Sequence, residues 1–534
     1  MVFIDFALSF LAPAWCRLPL LATSLAVACL LSLALVPAEA ETLPPPESKW
    51  PMCRSDATQQ KLSFVHISDM HANYNASADG SNPISRVRGY YQAVKKDNPF
   101  TLFTNSGDDY EKGSIAEELS QGRSTREVVH ALGYDVRTLG NHDFAWGIKE
   151  LLLFSHDPGA VVLSSNTRIN RQKEGPLRHV SAGFTDFTTL TVGCVRIGFF
   201  GLTARPYDHQ GGQTNGPVYP ELPSLEMDFD FVGIAEKIIA RHRHEVDILV
   251  LVSHMGVTDD IAVARQTQGI DLILGGHSHT TLEKPLRIKD TTIIHTGAEA
   301  EHIGRYDLLY DLKGKVIAEN NFQLVANVPE KIADDEKTRE TLAALLHRYQ
   351  RQLHEPVAEV KTSQSQFAMA RIAALAAVEK LSVDAAFVGS GSVWREWHPG
   401  KLTRQDIFES FKVEREPPGT PGASSLYLME VSGADLLHAK TVLKDSAYWG
   451  PTRIDPLSLY TVAMQKPQAF EQQRLFSRNI AIAPPRPETE LWEVVAAFAD
   501  DLNDRNLALD EGSPDRLGEE IVALFKQAKT NPAF

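Results

Sequence analysis

The chain has few cysteines, no excess of basic residues and no repeated or low-complexity tract. Four cysteines occur among 534 residues, and they form no cluster with the spacing of a thiolate zinc site. The net charge of −15 at pH 7 argues against a nucleic acid polymer or an anionic membrane surface as a partner. With 43% hydrophobic and 23% charged residues, the composition is typical of a soluble globular protein of several domains.

One long apolar run is present, at the N-terminus. It extends from Leu18 to Pro37, follows Arg17 and ends in Ala38-Glu39-Ala40, where small residues fill both positions of an A-x-A cleavage site. We therefore expect residues 1–40 to be a signal peptide that is cleaved near Ala40, leaving a secreted or periplasmic chain with no stable membrane partner. A retained N-terminal membrane anchor is the alternative, because about 20 apolar residues can span a bilayer.

Cleavage at this site would leave two cysteines, Cys53 and Cys194. In an oxidising compartment they could pair, but their wide separation in sequence gives no geometric information. Two free or buried thiols are the alternative.

Strand-like and helical segments alternate over residues 62–325, as is typical of an α/β domain whose helices cover its sheets. The strand-like runs are Leu62–Ile67, Thr101–Asn105, Val136–Leu139, Val161–Ser164, Ile197–Leu202, Ile248–Ser253 and Leu272–Leu274. Amphipathic helices are predicted at Ile84–Lys96 and Gly233–His244. A polar, proline-rich linker over 41–60 precedes this domain, which we place at 61–328.

A second domain is predicted beyond a helical bridge. Apolar residues at helical spacing predict one long exposed helix over 334–354, and these residues are Leu342, Leu345, Leu346, Tyr349 and Leu353. We place the interdomain segment at 329–355 and the second domain at 356–534. That domain has its own predicted helix, Phe367–Leu381, and strand, Ala385–Val388.

A short polar motif follows each of five predicted strands. The motifs are Ser68-Asp69-Met70-His71, Ser106-Gly107-Asp108, Gly140-Asn141-His142-Asp143, Ser253-His254-Met255-Gly256 and Gly275-Gly276-His277-Ser278-His279. Because ligands of open α/β sheets gather outside the carboxyl ends of strands, we expect these motifs to converge on one crevice. A lone His or Asp near a strand end is usually a solvated loop residue or a cap, so the specificity lies in the ordered set.

The side chains of these motifs are metal ligands by type. The candidates are Asp69, His71, Asp108, Asn141, His254, His277 and His279. A set of Asp, His and Asn without sulfur suits Zn, Mn or Fe better than Ca or Cu(I). So many ligands suit two divalent ions that share a carboxylate, with water completing each shell.

The ordered motifs resemble the calcineurin-like metallophosphatase superfamily, whose pattern is D-x-H, G-D, G-N-H-[DE], S-H or G-H, and G-H-x-H. The two-domain layout resembles its 5′-nucleotidase branch. The motifs carry the resemblance over residues 66–279, and weaker likeness over 356–534 rests on Leu402–Phe411, Leu426–Lys440 and Tyr460–Ala463. The resemblance implies an α/β (α+β) metallophosphatase domain, built as a β-sandwich flanked by helices. A long linker helix and a smaller α/β substrate domain would follow it.

The resemblance also implies a function. One ion would be held by Asp69, His71, Asp108 and His279, and the other by Asp108, Asn141, His254 and His277. Water activated by the two ions would hydrolyse a small phosphorylated substrate, a phosphomonoester such as a 5′-nucleotide, with His142 as general acid or transition-state stabiliser. Cyclic-nucleotide or nucleotide-sugar phosphodiesterase activity, sulfur-ester hydrolysis and a non-catalytic binding role are alternatives on the same scaffold.

The segment around His142 departs from the family pattern. Nucleotidases of this family read G-N-H-E-F-D, in which the last Asp orients the catalytic His, whereas Ala145 stands at that position here. Glu111 follows Asp108 at the spacing of the second Asp in the G-D-x-x-D of related phosphoprotein phosphatases. Our hypothesis is that Glu111 fixes the tautomer of His142, and a solvated surface glutamate is the alternative.

The substrate side departs further. The N-x-G-G-I-R-like strand end of the family, whose Arg grips phosphate, has Trp394 at the Arg position. Arg395 is adjacent but points to the opposite side in extended chain. Tyr448 and Trp449 lie near the expected place of a base-stacking aromatic. We take these four as candidate substrate contacts, with the alternative that the aromatic residues are simply part of the core.

Overall fold

The fold is described here from a computed structural model. It describes residues 49–77, 80–173, 182–205, 216–217, 222–411, 413–415, 422–476, 480, 482–483, 490–505 and 507–510. The predicted signal peptide and residues 41–48 of the predicted linker lie outside these residues. Among the described residues, no helix has the length and apolar character needed to cross a bilayer.

Two β-sheets dominate the first part of the chain. Its strands are β1 (Gln59–Ile67), β2 (Thr101–Asn105), β3 (Val136–Thr138), β4 (Val161–Leu163), β5 (Thr167–Ile169), β6 (Phe184–Thr185), β7 (Phe187–Val192), β8 (Val195–Thr203), β9 (Gly216–Pro217), β10 (Leu225–Met227), β11 (Ile248–His254), β12 (Leu272–Gly275), β13 (Leu286–Ile288), β14 (Thr291–His295), β15 (His302–Asp311) and β16 (Val316–Ala326). One sheet has the strand order β16-β15-β1-β2-β3-β4-β6 and the other β13-β14-β12-β11-β8-β7. Strands β5, β10 and β9 form a small third sheet.

Helices cover these sheets and continue into the second part. They are α1 (Pro83–Asp97), α2 (Ile115–Ser120), α3 (Arg123–Leu132), α4 (Gly147–Ser155), α5 (Phe231–His242), α6 (Val257–Gln266), α7 (Glu336–Leu346), α8 (Gln350–His354), α9 (Gln366–Leu381), α10 (Arg404–Ser410), α11 (Gly433–Val442), α12 (Lys466–Phe470), α13 (Gln472–Phe476) and α14 (Leu491–Asp504). The predicted segments at Ile84–Lys96 and Phe367–Leu381 correspond to α1 and α9.

Strand periodicity explains why the sheets pack face to face. Successive side chains of a strand point to opposite faces. On β11, Val250 and Val252 belong to the apolar cluster between the two sheets, which also contains Phe64 of β1. Leu249 and Leu251 belong to the cluster that includes residues of the covering helices. Because both faces of β11 are buried, its sequence is a continuous apolar run rather than an alternating one.

The second part of the chain contains a further mixed sheet. Its strands are β17 (Pro356–Val360), β18 (Ala385–Gly389), β19 (Gly400–Thr403), β20 (Leu426–Ser432), β21 (Ser446–Trp449), β22 (Leu459–Gln465) and β23 (Ile482–Ala483). Five of them form a sheet in the order β21-β18-β22-β20-β23, and β17 pairs with β19. The alanine-rich helix α9 is buried along most of its length. The fold is thus a helix-flanked β-sandwich followed by a smaller α/β region, as the family resemblance implied.

The predicted bridging helix differs from the single long helix expected over 334–354. A 3₁₀ turn at His347–Tyr349 separates α7 from α8. The five apolar residues of the predicted stripe are nevertheless all buried. The stripe therefore predicted which face is buried, whereas periodicity alone carries no information on a local change of hydrogen-bonding pattern.

A disulfide joins Cys53 to Cys194. Cys53 precedes β1, and Cys194 lies in the tight connection between β7 and β8. The bond therefore ties the segment before the first sheet to an edge hairpin of the second sheet. Of the two alternatives that the sequence left open, the structure has the paired cysteines.

Candidate metal centre

Five strand ends from two different sheets meet at one place. Strands β1, β2 and β3 run parallel in one sheet, and β11 and β12 run parallel in the other. Parallel strands present their carboxyl ends at the same edge, so each polar motif that follows them faces the same crevice. The candidate ligands form three overlapping groups: Asp69, His71 and His279; His71, Asp108 and His142; and Asp108, His254 and His277. Within each group, the possible ligand atoms lie within 4.8 Å of one another.

The first group joins the turn after β1 to the turn after β12. His71 Nε2 lies 3.0 Å from His279 Nε2, and His279 Nε2 lies 3.5 Å from Asp69 Oδ1. The main-chain N–H of His277 donates to both Asp69 carboxylate oxygens, at 3.0 and 3.1 Å. The last motif is therefore held against the first by hydrogen bonds as well as by side-chain contact.

Asp108 belongs to both the second and the third group. Its Oδ2 lies 2.9 Å from His254 Nε2 and 3.9 Å from His71 Nε2, and its Oδ1 accepts the His142 main-chain N–H at 2.8 Å. Asp108 thus contacts residues of both sheets, as a bridging carboxylate must. Next to His142, the Asn141 Oδ1 atom is buried without a hydrogen-bond donor.

The hydrogen bonds around these histidines leave acceptor atoms facing each other. His71 Nδ1 lies 3.1 Å from the Tyr110 carbonyl, and His254 Nδ1 lies 2.6 Å from the Ser106 carbonyl. Each Nδ1 therefore carries a proton and donates, which leaves a lone pair on Nε2 in the neutral ring that binds a metal ion. These lone pairs face His279 Nε2 and Asp108 Oδ2. Acceptors at such distances repel unless a cation or proton lies between them, so the donor set fits divalent ions.

The backbone at the ligands is unusual. Positive φ angles of 52° at Asp69, 49° at His71, 55° at Asp108, 71° at His277 and 51° at His279 place these residues in the left-handed region. Non-glycine residues rarely adopt it, and such residues cluster at functional sites where the surrounding structure holds them. Five of the seven candidate ligands are thus held in this strained conformation.

Burial and mutual charge shift the acid–base properties of the centre. Burial raises the pKa of Asp69 to about 6. Burial acts in the same direction on Asp108, but the nearby His254 and His142 lower the pKa of Asp108 well below its usual value. Burial would lower the pKa of His142, whereas Asp108 and the hydrogen bond that His142 donates to Glu111 raise it to about 9. This raised pKa favours the imidazolium form of His142 beside the Glu111 carboxylate.

Glu111 contacts His142 directly. Its Oε2 lies 2.5 Å from His142 Nδ1, and the glutamate is 3% exposed. This burial does not fit a solvated surface glutamate. The Glu111 main-chain N–H donates to Glu117 Oε1, which also accepts the Trp146 indole N–H. The contact with Glu111 leaves His142 Nε2 available to a substrate atom.

The second part of the chain also reaches Glu111, through Arg415. The Arg415 main-chain N–H donates to Glu111 Oε1 at 2.8 Å, and the guanidinium lies 4.2 Å from the centre of the Trp146 ring and pairs with Glu118 at 2.5 Å. Sequence reasoning missed Arg415, because no motif spacing connects it to Glu111. The buried arginine anchors the chain so that its backbone contacts the partner of His142.

Two of the candidate substrate residues lie at the rim of the centre. Trp394 packs its ring over Lys112, the neighbour of Glu111, with Nζ 5.0 Å from the ring centre. Arg395 pairs with Glu409, and its guanidinium lies 3.8 Å from Glu299. The Glu299 main-chain N–H donates to the carbonyl of Asp69. Trp394 therefore contacts the loop that carries Asp108. Arg395 approaches Glu299, which is hydrogen-bonded to Asp69.

Tyr448 and Trp449 lie in the packed sheet of the second part. The Tyr448 ring contacts Phe387 at 5.0 Å, and its hydroxyl donates to the Pro451 carbonyl. Trp449 is partly buried against the large apolar cluster. The described contacts of both residues favour the alternative that they are core aromatics, and their role toward a substrate stays a prediction.

Comparison with known proteins agrees with this geometry. Residues 62–281 match the family model of the calcineurin-like phosphoesterases. This segment is a calcineurin-like phosphoesterase domain. It contains all the candidate ligands from Asp69 to His279.

The chain has 5′-nucleotidases among its relatives. The chain is 25% identical over 320 residues to the 5′-nucleotidase of Mus musculus, which covers 53% of this chain and 52% of that protein. The chain thus spans about half the length of the curated relatives it matches.

Solved structures share the fold over most of the chain. The 5′-nucleotidase precursor of Thermus thermophilus superposes with a TM-score of 0.62 and 19% identity, covering 83% of this chain and 96% of that one. The sulfate thiohydrolase SoxB of the same organism gives a TM-score of 0.57 and 17% identity, with 83% and 94% covered. Both regions of the fold, the phosphoesterase domain and the smaller second part, therefore occur together in solved structures.

Proposed function

We propose that this protein is an exported phosphoesterase that uses two divalent ions to hydrolyse phosphomonoesters, with 5′-nucleotides among its substrates. The observation that carries the proposal is the paired donor set that shares Asp108. Nε2 of His71 faces His279 Nε2, and Nε2 of His254 faces Asp108 Oδ2. The candidate ligands come from both sheets. The 5′-nucleotidases among the relatives support the substrate class.

The seven predicted ligands divide between the two ions. Asp69, His71 and His279 would hold one with Asp108, and Asn141, His254 and His277 would hold the other with Asp108. When bound, such ions supply electrostatic stabilisation of a phosphoryl group and lower the pKa of water. Zn, Mn and Fe all suit these nitrogen and oxygen donors.

His142 and Glu111 form the proton-handling pair. Glu111 accepts a hydrogen bond from the Nδ1–H group of His142. This contact fixes the imidazole ring and directs its Nε2 atom toward the reacting group. In this role, a protonated Nε2 stabilises the transition state or donates its proton to the leaving oxygen. The missing aspartate at Ala145 is then replaced by a carboxylate from the loop after β2.

Residues 356–534 would form the substrate-binding domain, joined to the phosphoesterase domain by the segment 329–355. The positions of Trp394 and Arg395 at the rim support this assignment. Export after cleavage near Ala40 is supported by the Cys53–Cys194 disulfide, since such bonds persist in oxidising compartments.

Phosphate release by the chain from residue 41 onward tests the function. The metal-stripped protein is supplied with Mn or Zn and offered AMP, a sugar phosphate and an aryl phosphate. We expect chelator-sensitive release from at least AMP, and no release without added metal. The control is His142→Asn, for which we expect kcat to fall by about 10²–10⁴-fold, the usual contribution of general acid–base catalysis.

Bound metal is counted in the same samples by elemental analysis. Two ions per chain with release from all three esters would mean a broad phosphomonoesterase. Two ions per chain with no release from any of them contradicts the proposed function, and a diester, a sulfur ester or a binding role would then be examined.

A further inference from the structure

Lys112 lies beside the metal centre and has no part in the scheme above. It follows Glu111 in the chain, and φ is 68° at Glu111 and 86° at Lys112. Consecutive left-handed residues that carry a Cβ are rare and persist where the structure needs their side chains in fixed places. Here this backbone directs the Glu111 carboxylate to His142 and the Lys112 ammonium to the second part of the chain.

The ammonium group of Lys112 is enclosed by two residues of that second part. Its Nζ lies 3.0 Å from Glu414 Oε1 and 5.0 Å from the centre of the Trp394 ring. The Lys112 side chain is 16% exposed, while Trp394 is 40% exposed. The three residues therefore form a small cluster that opens to solvent, which we call the Lys112 cluster.

The Lys112 cluster adjoins the loop after β2, which carries both Asp108 and Glu111, the partner of His142. Burial, and next the charge of Lys112, lower the pKa of both His71 and His279. Lys112 is also the neighbour of Glu111, whose carboxylate contacts His142, so its positive charge adds to the field that an anion at this centre meets. In this structure the anionic partner of the ammonium is the Glu414 carboxylate. A carboxylate oxygen and a phosphate-ester oxygen both carry negative charge, so either can pair with Lys112.

We propose that Lys112 is a substrate-binding residue that exchanges the Glu414 carboxylate for an anionic oxygen of the substrate, with the Trp394 ring as one wall of this subsite. The inference rests on the proposed function, since the anion is that of an ester bound at the metal centre. It predicts that Lys112 and Glu414 act with opposite sign, because Glu414 competes with the substrate for the ammonium.

The affinity of the metal-loaded protein for inorganic phosphate, measured by titration calorimetry, tests the exchange. We expect Lys112→Met to weaken phosphate binding by about tenfold or more, the usual effect of losing a hydrogen bond to a charged group. Glu414→Gln should strengthen it by about twofold to fivefold, the range for a partly exposed ion pair. KM for the best ester should move in the same two directions, and Lys112→Arg should retain most of the affinity.

Surface substitutions of matched charge are the controls. Lys313→Met and Glu319→Gln change exposed side chains and should leave phosphate affinity unchanged. If Lys112→Met does not fold, Glu414→Gln alone decides, and unchanged or weaker phosphate binding overturns the exchange.

The outcomes separate this subsite from the proposed function. If Lys112→Met and Glu414→Gln shift phosphate affinity in the same direction, or not at all, Lys112 is a structural ion pair even where esters are hydrolysed. Absence of phosphate binding to the unsubstituted protein also overturns the subsite. If no ester is hydrolysed but the opposite shifts occur, the subsite stands and the proposed function fails.

Discussion

Glu111 is the residue whose substitution best separates catalysis from metal binding. It contacts His142 Nδ1, yet it belongs to none of the three candidate ligand groups. We expect Glu111→Gln to lower kcat by about 10–100-fold, because a neutral amide holds the imidazole less firmly. Bound metal, counted by elemental analysis, should stay at the unsubstituted level.

The control for Glu111→Gln is Glu340→Gln, which removes an exposed carboxylate and should leave kcat unchanged. A fall of less than threefold for Glu111→Gln would mean that His142 needs no carboxylate partner. Loss of metal together with activity would instead give Glu111 a role in the metal centre itself.

Single residues of the centre differ in how far sequence alone predicts them. The positions of Asp69, Asp108 and His277 follow from local motifs, because a strand end fixes where its next few residues lie. Arg415 has no such local signal. It reaches Glu111 through a contact between residues far apart in the chain, which only the three-dimensional arrangement supplies.

The turn that follows β3 positions Asp108 through a close backbone approach. A Cβ built on Gly140 would overlap the side-chain oxygen and the main-chain nitrogen of Asp108. We therefore expect Gly140→Ala to displace Asp108 and to weaken metal binding by about tenfold or more, as changes next to metal ligands commonly do. Titration of the metal-stripped protein with Mn measures this.

Gly391→Ala is the matched control, since a Cβ there would meet nothing within 4 Å. Both variants should keep the circular dichroism of the parent. Unchanged metal affinity in Gly140→Ala would show that the turn can move aside without disturbing Asp108.

The secondary-structure elements show the same division between local and distant information. The predicted strand at Thr101–Asn105 has the bounds of β2, and the run at Ile248–Ser253 is one residue shorter than β11. These strands are buried on both faces, so their apolar runs are unmistakable. The long strand β16 was not predicted, because most of its residues are exposed and polar residues separate its two short apolar stretches.

At the level of the whole molecule, the Cys53–Cys194 disulfide is expected to contribute to stability and not to catalysis. Cys194 precedes β8, whose amino end lies at the sheet edge away from the metal centre. We expect the double substitution Cys53→Ser and Cys194→Ser to lower the free energy of unfolding by about 2–5 kcal/mol, because the cross-link restricts the unfolded chain. Denaturant unfolding of both proteins gives this difference, with kcat unchanged.

Mass spectrometry after alkylation, with and without prior reduction, checks the bond itself in the mature chain. Alkylation of two thiols only after reduction is the expected result. Alkylation of both cysteines without reduction would contradict the disulfide and remove its support for export.

The placement of the ligands on both sheets has a consequence for the order of folding. Asp69, Asp108 and Asn141 follow strands of one sheet, whereas His254 ends a strand of the other sheet and His277 follows one. If these residues hold two ions as proposed, a half-formed sandwich offers each ion only part of its ligands. Closing such long chain segments is slow and entropically costly. The proposed ions would then bind late, after the sheets have docked. Once bound, they would cross-link the two sheets along one edge and stabilise the folded state.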